Sequence, residues 1–230
     1  MEPTRIVVWN ERRQDRGEEA VRAVYPHGIH APIVAHFNAK SGFSASAATL
    51  DEPEHGLPAE RLRKTDVLIW WGHRAHHEVD EQVVDRIERR VREGMGLIVL
   101  HSAHFSKIFE RLMGTSCRLH HWKVNGGWER LWPVDPEHPI ARGLPYGYEI
   151  PIEEMYAEPF AVPPPDELVF LSSFQSGEVF RSGAVWRRDR GKIFYFRPGH
   201  ETYPVYHDPV ILDTLVRAAE HVGNAPETVC

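Results

Sequence analysis

Histidines follow the ends of several apolar segments in this chain of 230 residues. The segments are VLIWWGH (67–73), LIVLHSAH (97–104), KIFYFRPGH (192–200) and, less regularly, the stretch that ends in YPHGIH (25–30). In an open parallel α/β sheet, the residues beyond the C-terminal ends of the strands meet in one crevice. Imidazoles gathered in such a crevice would either bind a metal ion or transfer protons.

Placement separates these histidines from the others in the chain. A single histidine is more often a structural residue or a helix cap, but a set that occupies strand ends and helix starts indicates a site. That set is His30, His73, His104 and His200. Four others lack this placement and are expected in loops or on helix surfaces: His55, His138, His207 and His221.

The segment GLIVLHSAH (96–104) predicts a strand, a sharp turn and a helix in that order. A nucleophile elbow occupies such a turn in many α/β hydrolases. Ser102 and Ala103 are small enough for an elbow, but no G-x-S-x-G motif is present, so Ser102 would be a nucleophile only beside a base. The turn would otherwise present His101, Ser102 or His104, together with backbone N–H groups that favour an anion.

Two further segments carry charged residues. Glu153 and Glu154 begin the sequence EEMY, in which a carboxylate would be a metal ligand or a general base. Position alone slightly favours a solvated acidic loop instead. The sequence RPGHETYP (197–204) places Arg, His and Glu directly after an apolar strand, which indicates a site and not a core.

Tryptophan is a second possible source of ligand contacts. Five of the tryptophans could form a wall on which a sugar stacks, or most of them could lie in the core or at a subunit interface. They are Trp70, Trp71, Trp122, Trp128 and Trp132. At least one of the adjacent pair Trp70 and Trp71 is expected to face inward from a buried strand.

Composition excludes several classes of protein. The net charge of -6 and the absence of a basic stripe argue against nucleic-acid binding. No signal peptide and no apolar run of membrane-spanning length is visible. Cys117 and Cys230 are the only cysteines, which indicates a reduced, intracellular chain, and we expect a cytoplasmic protein. No G-x-G-x-x-G follows a strand, so no dinucleotide site is predicted.

The periodicity of apolar residues predicts one α/β domain over residues 1–230. Strands are expected at 5–9, 46–50, 67–71 and 97–101, with helices at 30–39, 58–64, 79–93 and 105–113. This alternation implies a parallel sheet. The second half is predicted to add strands at 128–134, 168–173, 184–187 and 192–196, with a hairpin at RRDRGK and a final helix capped by Asp208.

Several of these motifs resemble the trehalose-utilisation, or ThuA-like, family. They are WNE (9–11), DEPEHGL (51–57), LIWWGHRAH (68–76), GMGLIVLHSAHFSKIF (94–109), RLMGTSC (111–117), EEMY (153–156) and FRPGHETYP (196–204). The resemblance implies the fold of class I glutamine amidotransferases, a flavodoxin-like three-layer sandwich with a mainly parallel sheet and extra antiparallel strands in the second half. No cysteine occupies the elbow, so thiol-dependent glutamine hydrolysis is not expected.

The resemblance also implies disaccharide catabolism, with 3-keto derivatives of trehalose-like sugars as substrates. A base would remove the proton at C2 and the glycosidic bond would break by elimination. A divalent metal, possibly zinc, would polarise the carbonyl and be bound by His30, His73 and His200. His104 or Glu154 would be the base, His101 would support the base or act as an acid, and Ser102 is a further catalytic candidate. Predicted substrate contacts are Asn10, Glu11, Trp71, Tyr156 and Glu201.

Two other functions remain open at this point. The chain could be a non-catalytic sugar-binding or assembly subunit that uses a degenerate amidotransferase cleft. It could also act with other proteins in isomerising or oxidising keto sugars. A small-molecule sugar is the expected ligand in each case, no nucleic acid or membrane is an expected partner, and the Trp-rich and Pro-rich surface weakly predicts a homo-oligomer.

Overall fold

The computed structural model describes residues 2–124 and 127–223. Its strands are β1 Thr4–Asn10, β2 Phe43–Thr49, β3 Val67–Trp71, β4 Gly96–Leu100, β5 His121–Lys123, β6 Glu129–Pro133, β7 Tyr148–Ile150, β8 Met155–Ala157, β9 Glu167–Phe174, β10 Val179–Arg188 and β11 Gly191–Phe196. Its helices are α1 Gln14–Gly17, α2 Glu19–Val24, α3 His30–Asn38, α4 Ala59–Arg63, α5 Glu81–Arg92, α6 Lys107–Met113 and α7 Pro209–Gly223.

A nine-stranded sheet organises the chain in the order β2-β1-β3-β4-β11-β10-β9-β6-β7. The first five strands of this order are parallel, and β10, β9, β6 and β7 continue the sheet in antiparallel fashion. A separate pair, β5 and β8, is antiparallel and short. The architecture therefore matches the predicted α/β sandwich with antiparallel strands added by the second half.

Alternating residues of the parallel strands divide the core into two layers. On one face, Trp9, Trp70 and Val99 pack with the apolar sides of α4, α5 and α6. On the other face, Val8 and Ile69 pack with α2, α3 and α7. Because both faces are covered, β3 and β4 are buried along their whole length, which is why their sequences are continuous apolar runs.

Most elements lie where the periodicity predicts them. β3 has the predicted bounds, β10 and β11 form the predicted hairpin, and the Asp208 carboxylate accepts the Val210 N–H at the start of α7. β2 starts three residues earlier than expected, at Phe43. The periodicity does not predict the short elements α1, β5, β7 and β8, which lack enough residues to show a period. Cys230 lies outside the described residues.

Candidate active site

Four strands of the sheet end level with one another. The register pairs Asn10 with Trp71, Trp71 with Leu100, and Leu100 with Phe196. The residues that follow these strands are therefore neighbours, although they are far apart in the sequence. They include Glu11, His73, His101 and His200, as expected for the crevice at the carboxyl ends of parallel strands.

His101 occupies the turn after β4 with a backbone φ of +51°, in the left-handed region that non-glycine residues seldom adopt. The elbow residue is thus His101 and not Ser102. Its Nδ1 lies 2.9 Å from the Arg197 carbonyl, and its Nε2 lies 3.1 Å from Glu154 Oε2. Burial alone would lower the pKa of His101, but the hydrogen bond and negative charge of Glu154 raise it.

Glu154 is the partner that favours the charged form of His101. The side chain is almost completely buried, which opposes ionisation, yet the hydrogen bond from His101 lowers its pKa. The alternative of a solvated acidic loop at 153–156 is therefore wrong, because Glu153, Glu154 and Tyr156 are all buried. The Tyr156 ring stacks on the His101 ring, and burial raises the pKa of its hydroxyl well above the ordinary value.

A buried arginine explains how this acidic segment is accommodated. Arg197 is fully buried, contacts the Glu129 carboxylate and the Glu154 carbonyl, and lies 3.4 Å from Glu153 Oε2. Burial raises the pKa of Glu129 to about 7, while the positive charge of Arg197 opposes the shift. One cation thus balances two carboxylates and positions the chain that carries Glu154.

Glu153 joins the acidic segment to the loop after β11. Its carboxylate accepts the N–H of Gly199 at 2.7 Å and that of His200 at 3.3 Å. Gly199 has a φ of +136°, and a Cβ there would lie 1.9 Å from the Tyr206 hydroxyl, so only glycine fits. The His200 Nδ1 accepts hydrogen bonds within its own loop, from the backbone and hydroxyl of Thr202.

Glu201, next in that loop, binds His73. Its Oε1 lies 3.2 Å from His73 Nδ1, and Gln14 Nε2 contacts the same ring nitrogen. Burial would raise the pKa of Glu201, but the hydrogen bond with His73 lowers it to about 2. The His73 ring is therefore fixed at Nδ1, which leaves Nε2 for a ligand. Gln14 gave no signal in the sequence, because it lies in a single helical turn.

Glu11 shapes the loop that carries His73. Its fully buried carboxylate accepts the backbone N–H groups of His73, Arg74 and Ala75 at 2.7 to 3.0 Å. Both oxygens are used in this way, so the predicted substrate-contact residue positions the backbone. Trp71 is also buried, and its indole N–H donates to the Gly199 carbonyl.

Ser102 and His104 lie side by side after the elbow. The Ser102 hydroxyl donates to the Gly72 carbonyl at 3.0 Å, and no base contacts it among the described residues. His104 Nδ1 lies 2.8 Å from the Cys117 carbonyl, while its buried Nε2 has no hydrogen-bond partner in the described chain. Burial lowers the pKa of His104 to about 3, so the ring is neutral and Nε2 is a free acceptor.

His30 lies apart from the other histidines of the predicted set. Its Nδ1 is 3.1 Å from Asn10 Nδ2, which also donates to the Asp15 carboxylate at 2.8 Å. The rings of His73 and His200 have centroids 6.4 Å apart. Within residues 2–124 and 127–223, the ligand atoms of His30, His73 and His200 do not come close enough together to share an ion. The three residues as placed do not fit the predicted metal centre.

A cavity of about 180 Å³ opens beside this network. It is smaller than the roughly 300–1,000 Å³ of pockets for drug-sized ligands, so it has room only for a small ligand or for part of a larger one. Its lining consists of His73, Ser102, His104, Phe105, Leu119, Trp122, Glu154 and Tyr156. Trp122 on β5 is 56% exposed, whereas Trp70 and Trp71 are buried, so a single tryptophan of the predicted wall lines this cavity.

Comparisons with known structures agree with this fold. A ThuA-like protein of Bacteroides uniformis is 18% identical, with a TM-score of 0.66 over 94% of this chain and 90% of its own. A cytoplasmic protein of Salmonella typhimurium is 15% identical, with a TM-score of 0.60 over 84% and 86%. A glutamine amidotransferase of Thermotoga maritima is 12% identical, with a TM-score of 0.55 over 98% and 100%.

These identities show the glutamine amidotransferase-like fold alone, and no curated protein matches the sequence. Within the described residues, no helix has the length and apolar character needed to cross a membrane. The model of the ThuA family, described as trehalose utilisation, matches residues 5–222, which is nearly the whole chain. The chain therefore belongs to the ThuA family, whose members have a role in trehalose utilisation.

Proposed function

We propose that this chain is a carbohydrate-utilisation enzyme that cleaves or converts a 3-keto-glycoside by acid/base chemistry. The main support is the cavity itself, in which the Glu154 carboxylate, the His73 imidazole and the exposed Trp122 ring surround a space for a small ligand or for part of a larger one. A proton acceptor and a proton donor that line the same partly apolar cavity are typical of catalytic sites.

Glu154 is the proposed general base. Of the two candidates, it is ionised and lines the cavity, whereas His104 is a neutral ring with a pKa of about 3. A carboxylate is a competent base for a carbon acid beside a carbonyl group, and the lowered pKa of Glu154 means that it is in the basic, ionised form. His101 is completely buried and does not line the cavity, so we assign it as a positioning residue that holds Glu154 in its ionised form.

The remaining cavity residues have roles that follow from their contacts. Glu154 removes the proton at C2, the electron pair forms a C1–C2 double bond, and the C1–O bond of the glycoside breaks. His73, whose Nδ1 is held by Glu201, donates a proton to the departing oxygen. His104 Nε2 accepts a hydrogen bond from a sugar hydroxyl, and neutral Tyr156 donates one to the C3 carbonyl.

The direct test compares trehalose oxidised at C3 with trehalose itself. We expect release of a hexose from the keto sugar and none from trehalose, because only the carbonyl acidifies the proton at C2. Product formation is followed by chromatography with the purified chain. Equal turnover of both sugars would contradict the elimination chemistry, since ordinary hydrolysis needs no carbonyl.

A non-catalytic sugar-binding role is the alternative, and the exposed Trp122 ring at the cavity favours it as much as it favours an enzyme. Calorimetry with the keto sugar and with trehalose separates the two functions. Binding of either sugar without any product over hours would support the binding role and reject the enzyme.

A further inference from the structure

A second cluster of titratable side chains lies at the opposite end of the strands from the cavity. His138 comes from the loop after β6, Glu167 is the first residue of β9, and His221 lies in the last turn of α7. β9 runs in the same direction as β11, so its first residue is remote from the end of β11 that carries His200. The proposed sugar chemistry does not use this cluster.

The three side chains converge on one carboxylate oxygen. Glu167 Oε2 lies 2.9 Å from His138 Nε2 and 2.8 Å from His221 Nε2. All three residues are half-buried, and their ligand atoms lie within 4.8 Å of one another. No other group of three histidine, cysteine or acidic residues in the described parts of the chain meets this condition.

The two rings have the separation that a shared metal ion would impose. Their centroids are 5.2 Å apart. Two imidazoles bound to one tetrahedral ion at about 2.0–2.1 Å would have centroids on the order of 5 Å apart. Two histidines and a glutamate are also a common ligand set of zinc sites in which the fourth position stays open.

The surroundings orient these ligands. Arg187 Nη2 donates to Glu167 Oε1 at 3.0 Å, which leaves Oε2 for the histidines. The Ile140 N–H lies 3.2 Å from His138 Nδ1, so Nε2 is the ring nitrogen directed at Glu167. Metal binding through Nε2 would move the ring proton to Nδ1, and this contact with Ile140 would have to open. The positive charge of Arg187 repels a cation, and the loss of the contact with Ile140 costs free energy. We therefore expect a moderate affinity for the metal ion.

We propose that His138, Glu167 and His221 form a binding site for a divalent transition metal such as Zn²⁺, separate from the sugar cavity. The ion would join the loop after β6, the start of β9 and the end of α7. The site requires nothing of the proposed function, and its failure would leave that function untouched.

The test is a titration of the chelator-treated, untagged chain with Zn²⁺ and with Co²⁺. We expect one equivalent of Zn²⁺ to bind at this site and, at a concentration about 100 times Kd, to raise Tm by roughly 5–10 °C. Co²⁺ should give the visible absorption of a four- or five-coordinate ion with nitrogen and oxygen ligands.

Three variants and one matched control assign the ion. His138→Ala, His221→Ala and Glu167→Gln should each weaken binding about 100-fold or more, and Glu167→Gln keeps the size of the side chain. His36→Ala is the control, because His36 Nε2 pairs with Asp213 at 2.8 Å and the further partner of that carboxylate is Lys40, which is not a histidine. If no Zn²⁺ binds at a concentration of about 100 μM, which is 100 times a micromolar Kd, the proposal is wrong. Binding that is unchanged in His221→Ala and Glu167→Gln would also overturn it.

Discussion

His101 Nε2 lies 3.1 Å from Glu154 Oε2, and both side chains are shielded from solvent. The elbow of the fold thus presents an imidazole whose charge depends on a carboxylate from a different part of the chain. The same contact lowers the pKa of Glu154 and raises that of His101, and it joins the turn after β4 to the segment before β8.

Replacing Glu154 with Gln removes the proposed base and preserves the shape of the side chain. We expect kcat for the keto sugar to fall by about 10²–10⁴-fold, the usual contribution of a general base. Glu149→Gln is the matched control, because Glu149 is an exposed carboxylate that pairs with Arg130 away from the cavity. If kcat survives in the Glu154 variant, another residue is the base, and His104→Gln is the next variant to measure.

The His101–Glu154 pair also predicts a dependence of stability on pH. The pKa of His101 is raised above 6.5 in the folded chain, so its contribution is complete below pH 6.5 and is lost as pH rises through the raised value. The pKa of Glu154 is lowered below 4.5, so its contribution is complete above pH 4.5 and is lost as pH falls.

The contribution of the pair is therefore greatest between about pH 4.5 and 6.5. We expect the difference in Tm between the natural chain and Glu154→Gln to peak in this interval and to shrink toward pH 9. The other buried histidines affect the pH dependence of Tm in both proteins, so most of their effect cancels in the difference. A difference that grows steadily from pH 6 to pH 9 would mean that His101 is neutral in the folded chain.

Arg197→Met tests the buried arginine beneath the site. The substitution leaves Glu129 and Glu153 buried without a cation, and we expect a loss of about 3–5 kcal/mol in the free energy of unfolding. Arg130→Met, which breaks the exposed pair with Glu149, should cost about 1 kcal/mol or less. Chemical denaturation measures both. Similar losses in the two variants would show that the buried network is not held by Arg197.

The sequence predicts the strand ends well and their partners poorly. The buried strands β3 and β4 and the histidines that follow them are visible as apolar runs with polar ends. The partners Glu129 and Gln14 are not, because they reach the site from an antiparallel strand and a single helical turn. The burial of Glu153 and Glu154 depends on Arg197, whose sequence position gives no indication of which carboxylates it meets.

The same limit applies to His138 and His221. Each looks like a surface histidine in its own segment, and only the tertiary fold brings Glu167, at the start of β9, between them. Conversely, His30 has the local context of a site residue, but its ring pairs with Asn10 beside Asp15 and not with His73. The local sequence pattern therefore identifies residues near the crevice at the carboxyl ends of the strands. Contacts between distant segments decide which of these residues interact.

Trp122→Ala tests whether the exposed ring at the cavity contacts the sugar. Because Trp122 is 56% exposed and lies on the short strand β5, its removal should leave Tm nearly unchanged. Loss of a stacking contact of about 1.4 kcal/mol would raise KM for the keto sugar roughly tenfold. Since the indole ring would stack on the sugar and transfers no proton, kcat should stay the same, as expected when ground-state and transition-state binding fall equally.

Tyr146→Ala is the matched control for this variant, because Tyr146 is 71% exposed, packs on Trp132 and does not line the cavity. Steady-state kinetics of both variants, with calorimetric binding of the keto sugar, complete the measurement. An unchanged KM in Trp122→Ala would place the sugar deeper, against Phe105 and Leu119. A fall in kcat without a change in KM would instead assign Trp122 to excluding water from the reacting carbon, because stacking alone cannot act on the transition state only.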